Sequence, residues 1–278
     1  AEVIRAVELI APGFGGINLE DIRSPECFEI ERVLEERLDI PVFHDDQHGT
    51  AIVVTAALLN ALRLVGKQLD QVKIVLNGPG AAGTAIVHML AAAGAADVTA
   101  VDEHGILYPG RPAGLAGHKA ALAAQTNPRR LTGGLAEAVR GADVFIGVSV
   151  PGALKPEMAA AMAGDAVVFA MANPTPEILP DEARAAGVRV VGTGRSDFAN
   201  QINNVLAFPG VFKGALSVRA HSINSAMKVA AARAIAGLVS AEELREDYII
   251  PGAFDPRVAD AVAAAVAAAA RESGVARL

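Results

Sequence analysis

Hydrophobic and polar positions follow two rhythms along the chain. Cys27, Ile30, Leu34 and Leu38 recur at the spacing of one helical face, with Ser24 as the expected N-cap and Pro25 at the first helical position. "LDIPVF" reads as a strand, and "TAIVVTAALLNALRLVG", from Thr50, as a long buried helix ending at Gly66. Beyond it, apolar runs of strand length at 72–77, 97–102, 143–149, 166–173 and 188–194 alternate with helical stretches such as "AAGTAIVHMLAAAG" and "PDEARAAG". Such alternation predicts a parallel sheet covered by helices on both faces. From about His221 the pattern is helical: "HSINSAMKVAAARAIAGL", then "SAEEL" with a Ser240/Glu243 capping box, then an Ala-rich tail. No internal repeat or low-complexity linker interrupts it.

Composition narrows the picture. With 278 residues, 52% hydrophobic and 20% charged, the chain can bury a core for one large or two modest domains. A net charge of -7 and a pI near 5.4 argue against nucleic acid as a partner. An anionic substrate must therefore be drawn by local positive charge or a metal. The one cysteine, Cys27, has no internal disulfide partner, which fits a reducing cytoplasm. No run of ~18 uninterrupted apolar residues suggests a membrane span, and no signal peptide is visible.

"VKIVLNGPGAAGTAIVHML" sets Gly78, Gly80 and Gly83 between a strand and a helix. In that context G-x-G-x-x-G allows a tight turn, a close approach to a pyrophosphate and close helix–strand packing. The expected fold is thus α/β, a Rossmann-type doubly wound parallel sheet with flanking helices at both chain ends. Pro79 removes one N–H from the loop, but the backbone of Gly80, Ala81, Ala82 and Gly83 still offers donors at the helix start. Asp102 ends the next strand, where an acid can bind a ribose hydroxyl. It would repel a 2′-phosphate and so favours NAD, while Arg111 and His118 nearby offset that preference. Ser149 ends another strand and either faces the cofactor or caps its turn.

Two acidic pairs, Glu20–Asp21 and Asp45–Asp46, each end a short apolar stretch. If the helix and strand between them form a hairpin-like crossover, the pairs converge at one edge of the sheet. Converging carboxylates suit a hard divalent ion, Mg²⁺ or Mn²⁺. The competing reading makes them solvated surface acids or helix caps. Asn173, Asn203 and Asn204 also lie beyond strands, where an amide serves either a turn or a substrate. His44, His48 and His221 have no acid–serine partner, so no hydrolase triad is expected.

"FGGINLEDI", "IPVFHDDQHGTAIV", "MANPTPEI" and "NQINNVLAFPGVFKGAL" together resemble the malic enzymes, most closely the small bacterial type, over essentially the whole chain. The resemblance implies oxidative decarboxylation of (S)-malate to pyruvate and CO₂ with NAD or NADP and Mg²⁺ or Mn²⁺. It implies Glu20, Asp21 and Asp46 as metal ligands and Asp45 as a further catalytic acid. Asn173 and Asn204 would contact the substrate, Asn173 also lying near the cofactor, and the glycine loop and Asp102 would hold the dinucleotide. It also implies at least a homodimer.

In that family a preceding region supplies a tyrosine acid and a lysine base, which the residues before Phe14 lack. The expectation is therefore a C-terminal portion: 1–46 as a remnant of the substrate- and metal-binding region, 47–278 as the dinucleotide-binding domain with its C-terminal helices. Such a chain binds cofactor and metal but turns over poorly without the missing N-terminal segment. Two alternatives stay open: a different Rossmann dehydrogenase, and a non-catalytic or partner-dependent NAD(P)-binding module.

Overall fold

A computed structural model describes residues 1–278. In chain order its elements are α1 (Glu2–Ile10), β1 (Ile17–Leu19), α2 (Glu26–Arg37), β2 (Val42–His44), α3 (Thr50–Val65), β3 (Lys73–Asn77), α4 (Ala81–Ala93), β4 (Asp97–Asp102) and β5 (Gly105–Ile106). Then come α5 (His118–Gln125), α6 (Leu135–Val139), β6 (Val144–Gly147), α7 (Pro156–Ala160), β7 (Val167–Ala170), α8 (Pro180–Ala185), β8 (Val190–Thr193), α9 (Phe208–Ser217), α10 (Ser225–Gly237) and α11 (Arg257–Glu272). Five parallel strands and one antiparallel edge strand form a sheet of order β5-β4-β3-β6-β7-β8. The order reverses at β3, whose neighbours are β4 and β6. That opens a crevice beyond the carboxyl ends of β3 and β6, the usual ligand position in such sheets.

Strand alternation explains the layering. Ile74, Leu76, Val144, Ile146, Val167 and Phe169 join a core of 49 residues with α3, α4, α9, α10 and α11. Their neighbours Val75, Phe145 and Val168 point the other way, into a 15-residue core under α6, α7 and α8. Both faces are dry, so the strands read as unbroken apolar runs, as the sequence pattern predicts. The stretch Asp45–Val65 is one continuous helical run, long and apolar enough by composition to cross a membrane. Its side chains are instead mostly buried, packed against α4 and α10.

The acidic pairs converge, on a small sheet of their own. β1 and β2 form their own two-stranded parallel sheet, joined by α2 and backed by a six-residue core that includes Ile17, Leu34 and Val42. The link is a parallel crossover rather than a hairpin, so both acidic pairs leave the small sheet at the same end. Ser24 does not cap α2. Pro25 holds the cap position without a side-chain bond, and the Cys27 amide donates to the Arg23 carbonyl, which closes the first turn one residue earlier. "SAEEL" forms both capping-box bonds, Ser240 N to Glu243 Oε2 at 3.0 Å and Glu243 N to Ser240 Oγ at 3.2 Å, but only a turn follows them. Reciprocal capping satisfies donors without supplying an apolar face to bury, so no helix propagates.

Asn200 fastens the end of β8 to the segment before α11. Its φ is 55°, its Nδ2 donates to the carbonyls of Val191 (2.9 Å) and Glu246 (2.8 Å), and its Oδ1 accepts from Ile249 N at 3.0 Å. Asn200→Ala leaves two buried backbone groups and one part-buried carbonyl unpaired, at a position in the left-handed region. It is expected to lower unfolding free energy by about 2–4 kcal/mol, read as a lower urea midpoint with an unchanged slope.

Candidate functional site

Parallel pairing brings the acids together. Leu19 is registered with His44, so Glu20–Asp21 leave β1 beside Asp45–Asp46 leaving β2. Ligand-capable oxygens of Glu20, Asp21 and Asp46 all lie within 4.8 Å of one another. Two backbone irregularities set that geometry. Asp21 has φ 55°, left-handed and uncommon for a residue with a Cβ, and its amide donates to Asp46 Oδ2 at 2.8 Å. Asp45–Gly49 form a π turn that runs into α3. Gly49 is needed there, because a Cβ would run into the Asp45 carboxylate.

Asp45 is 7% exposed and accepts from Asn204 Nδ2 at 2.8 Å through Oδ2, while its Oδ1 has no partner. Burial, with Glu20 and Asp46 close by, pushes its carboxyl up to about 7. The three clustered acids offer only oxygen donors, the set a hard divalent cation takes.

The glycine loop follows β3. Gly78, at φ 101°, and Gly83 tolerate no Cβ: it would meet the Val148 carbonyl in the first case and the Gly78 carbonyl in the second. Gly80 has nothing within 4 Å on its Cβ side. The loop is therefore closed against the sheet at Gly78 and Gly83 and open at Gly80, where its backbone is accessible to a ligand. The first ladder bond of α4 runs from Thr84 N to Gly80 O, which leaves the amides of Ala81, Ala82 and Gly83 for a ligand. A cleft of about 480 Å³ joins the two regions, and its walls include Asp46, Ala82, Ser149, Asn173 and Asn204.

Asp102 is placed differently from its expected role. Its side chain is 1% exposed. Arg111 donates to it bidentately, at 2.7 and 2.8 Å, and Lys119 Nζ lies 2.9 Å from Oδ2. Against burial, those bonds and the His104 amide hold its carboxyl down to about 2. Both oxygens are committed to cations, so it presents no free acid edge. Arg111 neutralises it, as expected, but His118 does not: its Nε2 donates to the Pro79 carbonyl at 2.8 Å.

Sequence reasoning missed three site residues. Lys119 is one. Glu177, fully buried, accepts from Ser149 N (2.7 Å), Ser149 Oγ (3.0 Å) and Ala172 N (3.0 Å), and so ties the loops after β6 and β7 together. Arg195 reaches the cleft wall two residues past β8 and donates to the Pro174 carbonyl at 2.9 Å. Only its position just beyond a strand end signalled it.

Comparison with known proteins decides the lineage. The family profile "Malic enzyme, NAD binding domain" matches residues 47–271. The chain belongs to the malic enzyme family. It is 57% identical over 277 residues to the "Bifunctional malic/malolactic enzyme" of Bacillus subtilis (strain 168), covering 100% of this chain and 68% of that enzyme. With the "NAD-dependent malic enzyme" of Geobacillus stearothermophilus it shares 55% identity, covering 99% and 57%. The crystal structure of malic enzyme from Pyrococcus horikoshii Ot3 superposes with a TM-score of 0.95 at 49% identity, over 99% of this chain and 65% of that one. The chain thus spans little more than half to two-thirds of these malic enzymes.

The raised Asp45 carboxyl has a consequence for the metal-free chain. A carboxyl shifted up contributes stability that is full below its unfolded value, near 3.8, and is lost as pH climbs through about 7. In EDTA the chain is expected to melt lower at pH 8 than at pH 5, and Asp45→Asn to flatten that slope in thermal scans across the range.

Proposed function

We propose that the chain carries the metal- and cofactor-holding part of an enzyme that oxidatively decarboxylates (S)-malate to pyruvate and CO₂, reducing NAD or NADP. One observation carries the reading: in a chain of the malic enzyme family, Glu20, Asp21 and Asp46 converge beside a cleft that also reaches the amides opening α4. A divalent cation would supply positive charge for the substrate's hydroxyl and carboxylate, and a nicotinamide the hydride acceptor. The rest falls to the chain's own groups. Glu20, Asp21 and Asp46 hold the cation. Asp45, buried and poised near neutrality, holds a proton at Oδ1, its unpartnered oxygen, while Asn204 fixes Oδ2. Asn173 and Asn204 line the cleft where the substrate lies, and Ser149 and the 80–83 backbone bind the dinucleotide.

Charge at the tip of β4 bears on the cofactor. Asp102 and Glu103 face Arg111 and Lys119 there, two acids against two bases, so the local balance rejects neither NAD nor NADP. A cytoplasmic location, suggested by the single cysteine, and assembly as at least a dimer, suggested by family resemblance, belong to the same reading.

Malate binding to the 278-residue chain, followed by calorimetry, is expected to require Mn²⁺ and to vanish in Asp46→Ala. Metal-independent malate binding, or unchanged binding in that variant, overturns the assignment. Lys119→Glu adds a negative charge beside Asp102. It is expected to weaken NADP binding by about tenfold while sparing NAD, as titrated by the fluorescence of the reduced cofactors.

A further inference from the structure

Behind Asp46 a second set of buried polar groups leads away from the cleft. Glu31, on α2, is 7% exposed. Its Oε1 accepts from His48 Nε2 at 2.7 Å, and its Oε2 lies 2.9 Å from Gln47 Nε2. The same Gln47 nitrogen lies 2.7 Å from Nδ1 of His44, which is fully buried.

The chemistry of the donors orders this chain. Although burial opposes it, the His48 hydrogen bond holds the Glu31 carboxyl below its usual range, so Glu31 is ionised and can only accept. Gln47 must therefore turn its NH₂ group towards Glu31. The second amide proton points at His44 Nδ1, which must be the bare ring nitrogen. The imidazole proton is then fixed on Nε2. That nitrogen makes no hydrogen bond in the protein, and the nearest carboxylate oxygen recorded for it, Asp46 Oδ2, lies 3.3 Å away. Asp46 Oδ2 also accepts the Asp21 amide, at 2.8 Å.

We propose that Glu31 is a positioning residue for the metal-binding carboxylate of Asp46, acting through Gln47 and His44. It fixes the tautomer whose unsatisfied Nε2–H faces Asp46 Oδ2, so that this proton, once it closes on the oxygen the Asp21 amide already holds, leaves Oδ1 for a divalent cation. The inference rests on reading Glu20, Asp21 and Asp46 as metal ligands. Outer partners of this kind orient a ligand and set its share of the metal affinity without touching the ion.

The test is Mn²⁺ titration of the 278-residue chain, read by electron paramagnetic resonance of the free ion, with a thermal midpoint for every variant. Glu31→Leu is expected to weaken Mn²⁺ binding by about 10-fold or more. Glu31→Gln keeps an acceptor for Gln47 and loses less, and it carries the test if the leucine variant does not fold. Glu35→Gln removes a charge one helical turn along α2 without touching Gln47, and leaves the affinity unchanged. Glu31→Leu combined with Gln47→Leu binds no more weakly than Gln47→Leu alone, because both act on one path. Wild-type affinity in Glu31→Leu, or equal losses in Glu35→Gln and Glu31→Gln, overturns the positioning role. If the wild type itself binds no Mn²⁺, as Asp46→Asn should not, the metal reading fails first and this inference with it. If the wild type binds and Asp46→Asn does not, only the Glu31 comparison decides.

Discussion

Repulsion among acids that the backbone will not let separate is the constraint around which the molecule is arranged. Like-charged carboxylates held a few ångströms apart repel, less where water screens them and more where one is buried. Glu20, Asp21 and Asp46 share one such space, and Asp45 stands behind them with a buried, unpartnered oxygen. Nothing in ordinary packing rewards this. The chain sustains it with a left-handed residue at Asp21, a π turn at Asp45–Gly49 and an amide donated into Asp46, irregularities typical of sites where function overrides comfort. A doubly charged cation turns the same geometry from a liability into an attraction.

The larger sheet supplies the second half of the site. Its reversal at β3 leaves a crevice, and the loops after β3, β6 and β7 form its walls. Asn77 Nδ2 donates to Ser149 Oγ at 2.8 Å, and Glu177 gathers Ser149 and Ala172 around one buried carboxylate. The phosphate-facing loop, the serine loop and the asparagine loop are thus braced as one unit. The β1–α2–β2 unit reaches this crevice only because β2 runs through the π turn into the core helix α3.

Much of this was legible in the sequence. Parallel strands buried on both faces leave unbroken apolar runs, so β3, β4, β6, β7 and β8 stand out, and glycines that tolerate no Cβ mark the loop between β3 and α4. The acidic pairs were visible as candidates because each ends an apolar stretch. What escaped notice depends on partners distant in sequence. Asp102 looks like a free ribose ligand until Lys119, 17 residues on, and Arg111 close over it. Glu31 looks like one more charge on a charged helix, and only the fold sets it against Gln47. Glu177, amid prolines, gives no hint that it is fully buried. α1 and α9 are amphipathic, but α1 has no side-chain cap and buries none of its residues, and α9 follows a 3₁₀ turn, so neither is announced by a cap.

The π turn deserves a last thought about inheritance. It holds one residue more than an α turn would, and α3, from Thr50 onward, packs by its own pattern without needing it. Excising a single residue within 45–49 would let the helix wind regularly and would replace the wide turn that carries Asp45 and Asp46 with a tighter one. Length changes in that short span would fall on the clustered acids and spare the packing of α3. A lineage could lose its acidic cluster there and keep its architecture.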